Sequence, residues 1–215
     1  MDGPTLERER ALWAAGVHHV AGVDEVGRGP VAGPVVAAAV IFAPGQDIIE
    51  GLRDSKRMTA AERERAAVLV RDQALAWGVG AASVHEIDRV NILRASVRAM
   101  RRALDRARIP VDRVLLDGNA LYDLDRPHDA IVGGDNISLS IAAASVLAKV
   151  VRDRLMIALG RRYPAFKWER NKGYATAAHL AAIDEIGPTP HHRTSFTPVS
   201  QLSLFVPAVH RGERP

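Results

Sequence analysis

The 215-residue chain contains no cysteine. That excludes a disulfide framework, thiol chemistry and cysteine-based zinc modules. It has no apolar run long enough for a membrane span: the longest, residues 35–43, is about half the needed length and is bracketed by Pro34 and Pro44. The first ten residues lack the basic-then-apolar pattern of a secretory signal, so a cytoplasmic location is expected. Lysine is scarce: Lys56, Lys149, Lys167 and Lys172 are four of 29 basic residues, and the rest are arginine. Against 25 acidic residues this gives a net charge of +4, which permits a nucleic-acid partner without demanding one. Nucleotide-loop and nucleophile-elbow patterns are missing too. Gly27, Gly29 and Gly33 have the wrong spacing for a dinucleotide loop, and Pro30 and Pro34 stop a helix from opening there. The adjacent pairs His18-His19 and His191-His192 do not form a zinc pattern.

What is present is ordinary globular composition, 47% hydrophobic and 25% charged. Periodicity and turn signals predict helices over 5–15, 59–75, 91–108, 137–160 and 176–186. Strands are expected over 19–23, 35–42 and 77–84, with two short buried ones at 114–116 and 130–132. Three early strands followed by alternating helices and strands indicate an α/β domain with a mixed sheet.

The densest segment is Ala21-Gly22-Val23-Asp24-Glu25-Val26-Gly27-Arg28-Gly29-Pro30, where an apolar strand meets two carboxylates and a glycine-flanked arginine. Neighbours on a strand point to opposite faces, so Asp24 and Glu25 share a site only if the chain bends there. Asp117 follows a second apolar strand, and Asp135 precedes the long helix, where it also suits an N-cap. Four such carboxylates in one small domain repel one another unless cations neutralise them. An all-oxygen donor set selects hard ions such as Mg²⁺ or Mn²⁺. On the long helix, Ser138, Ser145, Lys149 and Arg152 form one stripe, either solvated or facing a substrate.

Eight motifs then occur in a familiar order: Asp24-Glu25-Val26-Gly27-Arg28-Gly29; Asp54-Ser55-Lys56; Glu86-Ile87-Asp88 with Asn91-Ile92; Leu116-Asp117-Gly118-Asn119; Gly134-Asp135; the run from Ile141 to Val150; Lys172-Gly173-Tyr174; and Arg193-Thr194-Ser195-Phe196. In this the chain resembles type 2 ribonuclease H, the bacterial ribonuclease HII family, from about Val20 to Pro198. The resemblance implies a ribonuclease H-like mixed five-stranded sheet flanked by helices. It also implies a catalytic domain over 1–160 and a C-terminal helical extension and tail over 161–215, packed on it. The activity implied is metal-assisted hydrolysis of the RNA strand in RNA–DNA hybrids, and cleavage at single ribonucleotides in duplex DNA. Products would carry 5′-phosphate and 3′-hydroxyl ends, from a monomeric enzyme.

Mapped residue by residue, the resemblance makes Asp24, Glu25, Asp117 and Asp135 the catalytic, metal-binding acids. Gly27, Arg28, Gly29 and Tyr174 become the ribonucleotide-sensing elements, with Lys56, Ser145, Lys149 and Lys172 as further substrate-binding candidates. The family often has Lys where Gly133 stands and Pro where Ala175 stands. A non-catalytic nucleic-acid-binding module, or another nuclease on the same fold, would account for fewer of these motifs. In the tail, Gln201-Leu202-Ser203-Leu204-Phe205 looks like the short motif by which bacterial proteins dock on the sliding clamp, with Gln201, Leu204 and Phe205 as anchors. The same residues also suit a short helix packed on the domain.

Overall fold

A computed structural model describes residues 3–202 of the chain. Helix α1 (Glu7–Ala14) leads into strands β1 (Val20–Val26) and β2 (Val35–Ile41). Then come α2 (Ala60–Gln73), β3 (Ala76–Ala82), α3 (Val84–Val90), α4 (Ile92–Arg106), β4 (Arg113–Asp117) and β5 (His128–Ile131). The chain finishes with α5 (Leu139–Arg162), α6 (Trp168–Asn171), α7 (Ala177–Ile186) and α8 (Val199–Leu202). The strands form one mixed sheet in the order β3-β2-β1-β4-β5. β2 is antiparallel to both its neighbours, whereas β1–β4 and β4–β5 are parallel.

Strand alternation divides the core. Val36, Ala38, Val40 and Phe42 face α2 and α5. Ala21, Val23, Val35, Ala37, Ala39, Ile41, Val114 and Leu116 face α4. Because β2 is covered on both faces, it reads as a continuous apolar run rather than an alternating one. A third apolar cluster joins Val31 and Ala32 to Met156, Phe166, Trp168, Ala182, Ile183 and Val199, seating the C-terminal helices. Among the described residues no helix is long and apolar enough to cross a membrane.

Helix α5 lies directly on β1 at Gly22, where a Cβ would stand 2.1 Å from the Ser140 carbonyl carbon. The same Cβ would stand 2.3 Å from the Ile141 amide nitrogen. The four helix residues from Ile141 to Ser145 and the two strand residues from Gly22 to Asp24 advance by nearly the same distance, about 6.0 and 6.6 Å, so Ser145 comes beside Asp24.

Three expectations are corrected. Val84 does not end a strand but opens α3, behind a capping box in which Ser83 and Glu86 exchange hydrogen bonds of 3.0 and 3.2 Å. The strand at 128–131 is an edge strand rather than a buried one, and the adjacent Val132 is 76% exposed. No bend occurs at Asp24-Glu25: β1 stays paired with β2 through Val26, and the chain turns only at Gly27, with φ +92°. A bend is not needed, because at the end of the strand both carboxylates stay within electrostatic reach of Asp117.

Candidate active site

The unbroken β1 ladder puts Asp24 on the α5 face and Glu25 on the α4 face. Asp24 is nearly buried, at 7% exposure, and lies beside the Ser145 hydroxyl, while its Oδ1 accepts from the Glu25 amide at 2.7 Å. Ser145 in turn lies 3.0 Å from the hydroxyl of buried Ser55. Asp117 is the last residue of β4. The parallel β1–β4 register pairs Val23 with Leu116, so its next step brings Asp24 and Asp117 alongside each other. Asp117 Oδ1 accepts from the Gly134 amide at 2.7 Å. That bond ties the end of β4 to the 3₁₀ turn Gly134–Asn136 that carries Asp135.

Asp135 does not cap α5; Ser138 does, accepting from the Ile141 amide. Buried at 2% exposure, Asp135 bonds the Asn136 amide group at 2.9 Å and Lys56 Nζ at 3.3 Å. Glu25 leans the other way, taking a 3.1 Å hydrogen bond from Arg28. A cleft of about 420 Å³ on that side is lined by Glu25, Arg28, Ser96, Asp117 and Asn119.

Charge crowding is evident in the proton affinities. Burial first, then the Glu25 and Asp117 carboxylates, raise Asp24 well above the ordinary aspartate range. Glu25 is raised by burial and by Asp117, against the opposing pull of Arg28. Asp117 is raised by burial and by Asp135, opposed by the Gly134 amide and Lys56. Lys56 is raised as well: burial works against its charge, but Asp135, Asp54 and Asp24 outweigh it.

Each carboxylate is thus held by its own partner. Among the described residues no three acidic or histidine side chains are drawn together closely enough to hold an ion as they stand. The donor set nonetheless suits a hard divalent cation, because it is all oxygen and three of its members are destabilised by a neighbouring carboxylate.

The remaining candidates fall around this centre. Tyr174 is exposed, at 51%, and its ring is 3.7 Å from where a Gly29 Cβ would sit. It is therefore not a core tyrosine. Lys149 pairs with Asp153 at 2.8 Å, and Lys172 Nζ bonds the Glu169 carbonyl. Gln201 is exposed on α8, while Leu204 and Phe205 lie outside the described residues. The stripe on α5 is buried rather than solvated, since Ser138, Ser145 and Arg152 are all covered. Sequence reasoning assigned no role to Ser55 or Arg193, and placed Arg152 only on the α5 stripe. The available signal was the Asp54-Ser55-Lys56 and Arg193-Thr194-Ser195-Phe196 motifs, quoted without a function for these residues.

Comparison with known proteins places the chain in a family. The family model for ribonuclease HII matches residues 21–199. The ribonuclease HII of Rhodospirillum rubrum is 54% identical over 202 residues, covering 92% of this chain and 91% of that one. The crystal structure of ribonuclease H2 from Pyrococcus horikoshii superposes with a TM-score of 0.73 at 25% identity, over 86% of this chain and 97% of that one. The structure of a PCNA–ribonuclease HII complex from Archaeoglobus fulgidus matches in fold, with TM-score 0.69 and 22% identity over 83% of this chain and 95% of that one. With the family model matched along nearly the whole described structure, the chain belongs to the ribonuclease HII family, ribonuclease H hydrolases that cut the RNA strand of RNA–DNA hybrids internally.

Proposed function

We propose that this ribonuclease H also cleaves beside single ribonucleotides embedded in duplex DNA, leaving 5′-phosphate and 3′-hydroxyl ends. The observation that carries this reading is the crowding of Asp24, Glu25, Asp117 and Asp135 beside a glycine-flanked turn and an exposed tyrosine. Asp24, Glu25, Asp117 and Asp135 would hold Mg²⁺ or Mn²⁺, the hard ions that suit oxygen donors. Such ions, when bound, polarise the phosphate and supply a water nucleophile near neutral pH. Ser145 orients Asp24, and the Gly134 amide orients Asp117. Lys56 keeps positive charge against Asp135, where it would meet a substrate phosphate.

The Gly27-Arg28-Gly29 turn and Tyr174 are read as the elements that select ribose. Backbone groups of the turn are free to approach a sugar closely, and the tyrosine ring offers a flat face to the adjoining nucleotide. The 2′-hydroxyl is the group that tells RNA from DNA at a given position. Lys149 and Lys172, near one another on α5 and after α6, supply phosphate contacts along the flanking duplex.

Residues 1–160 are taken as the catalytic domain and 161–215 as an extension, in a monomeric protein. Clamp docking through Gln201, Leu204 and Phe205 is supported by the exposure of Gln201 and by the PCNA complex of the Archaeoglobus relative. Loss of clamp binding in a Leu204→Ala, Phe205→Ala double variant, with cleavage intact, is the expected result.

The deciding assay cleaves a duplex carrying one ribonucleotide beside its all-DNA counterpart, with Mg²⁺, with Mn²⁺ and with chelator. One cut at the ribonucleotide, dependent on metal and bearing the stated ends, is expected. Tyr174→Ala should lower that cleavage more than it lowers affinity for duplex DNA; equal losses would remove Tyr174 from ribose selection.

A further inference from the structure

Two arginines lie behind the Gly27-Arg28-Gly29 turn: Arg152 from α5 and Arg193 from the segment after α7. Both have no exposed surface. Buried arginine is ordinarily paired with a carboxylate. Among the described residues none lies within ion-pair distance of either one; backbone carbonyls take that place. Arg193 donates Nε to Gly33 O at 3.0 Å, Nη1 to Arg28 O at 2.8 Å, and Nη2 to both Gly27 O and Gly33 O. Arg152 donates to the carbonyls of Pro34 at 3.0 Å, Ala32 at 3.2 Å and Lys172 at 3.0 Å. A Cβ at Gly27 would stand 2.0 Å from Arg152 Nε, so only glycine leaves room for this arrangement. The turn is thus stapled through its carbonyls from the inside.

The residue before Arg193 reaches the other element. His192 Nδ1 accepts from the Thr189 amide at 2.8 Å, which puts the His192 proton on Nε2. That proton faces His179 Nε2 at 3.0 Å, which also accepts from the Trp168 indole at 3.0 Å. His179 therefore carries its own proton on Nδ1, from which it donates to the Tyr174 carbonyl at 2.8 Å. The backbone ties run the same way. Arg193 N bonds Val31 O at 2.8 Å, Gly33 N bonds His191 O at 2.9 Å, and Val31 N bonds Gly173 O at 2.9 Å. From outside, Asp88 on α3 fastens the segment, accepting from the amide and hydroxyl of both Thr194 and Ser195.

We propose that His192-Arg193-Thr194-Ser195 is a strap that holds the Gly27–Gly29 turn and Tyr174 in one fixed geometry, with Arg193 and His192 as positioning residues for ribonucleotide selection. This rests on the reading of the turn and Tyr174 as the ribose-selecting elements. With the Gly27 and Arg28 carbonyls turned inward, the Arg28 and Gly29 amides have no acceptor among the described residues and remain available to a sugar or phosphate. Both reading elements hang on adjacent residues of one segment, so a shift of the strap moves both. A displacement of about 1 Å between such groups and a substrate costs on the order of 10²-fold in rate.

The test measures kcat on duplex DNA carrying one ribonucleotide, together with affinity for the all-DNA duplex and melting temperature. The variants are Arg193→Lys, Asp88→Ala, Tyr174→Ala and the Arg193→Lys, Tyr174→Ala double variant. Arg193→Lys retains charge but cannot span three carbonyls, and Asp88→Ala releases the strap from its partly exposed side without touching the buried arginines. Both should lower kcat by about tenfold with all-DNA affinity unchanged within about twofold. In the double variant the losses should be clearly less than additive, because both changes act on one geometry. Losses that add fully, that fall equally on all-DNA affinity, or that are absent from both strap variants overturn the strap. If Tyr174→Ala alone cleaves like the wild type, the ribose-selecting reading falls and the strap's role falls with it. If Tyr174→Ala loses selectivity while Arg193→Lys and Asp88→Ala keep it, only the strap falls.

Discussion

The carboxylates around Asp24 and the guanidiniums around Arg193 are both buried charges, and the protein treats them in opposite ways. Arg152 and Arg193 are surrounded by backbone carbonyls that fill their donor positions. Burial, with Arg152 as a neighbouring charge, still brings Arg193 down to about 9, yet it stays charged at neutral pH. Asp24, Glu25 and Asp117 keep few hydrogen bonds, and burial together with neighbouring acids raises their proton affinity above the ordinary carboxylate range. A charge completed by carbonyls is finished with folding and serves geometry. A charge left beside others of its own sign is completed only when a cation arrives, and such groups collect where ligands bind.

The largest expected effect comes from breaking the acidic side. Asp24→Asn keeps the size but removes charge needed by a metal ion. Metal-dependent cleavage should fall by ~10³-fold or more, in keeping with the several kcal/mol that such an ion supplies. Without metal, the variant should melt at or above the wild-type temperature, since a buried, repelled carboxylate has gone. Turnover near wild type would remove Asp24 from the site.

Gly22→Ala tests how α5 and β1 hold that side together. The new Cβ meets helix backbone at Ser140 and Ile141, which cannot rotate away. A loss of ~3 kcal/mol by denaturant unfolding is expected, with metal affinity reduced as Ser145 moves off Asp24. An unchanged midpoint would mean that the helix slides freely on the strand.

The two regions should also answer pH in opposite senses. His192 is held down to about 4 by burial and by His179, from an ordinary 6.5. A histidine with a lowered value contributes stability that is full above 6.5 and is lost as pH falls toward 4, by up to ~3 kcal/mol. The raised carboxylates contribute stability that is full below about 3.8 and is lost as pH rises through their raised values. In chelator, His192→Phe should flatten the acid limb of melting temperature against pH, and Asp24→Asn the limb on the other side. Identical profiles for both variants would erase the contrast.

The smallest effect belongs to Lys56, whose side chain is 76% exposed while Asp135 is 3% exposed. Lys56→Met should change stability by only about 1 kcal/mol, because the ammonium end of the pair is exposed and screened by water even though Asp135 is buried. By calorimetry it should tighten divalent-ion binding by a few-fold, because the ammonium competes for Asp135. Weaker ion binding would make Lys56 a support of the ion site rather than its competitor.

Local chemistry made much of this legible in advance. The Thr59 capping box, the all-apolar β2 and an α/β domain with a mixed sheet follow from turn residues and hydrophobic period alone. The four acids stood out because carboxylates at strand ends and ahead of a helix are hard to explain as solvated surface. The α3 helix was missed because its seven residues carry no clear period, and only the Ser83–Glu86 box announces it. The α5 stripe was ambiguous because spacing places residues on one face without saying what covers that face.

The sequence by itself determined most of the elements, the carboxylates and the ordered motifs, since each depends on neighbours a few residues away. Tertiary structure alone decided that Asp24 and Glu25 stay on opposite faces of an unbroken strand, that Asp135 meets Lys56 rather than capping α5, and that Arg152 and Arg193 bind carbonyls instead of acids. Those outcomes depend on partners 79, 20 and 165 residues apart, such as Lys56 with Asp135, Arg152 with Lys172 and Arg193 with Arg28. Burial and donor geometry, which no local window contains, choose among such partners.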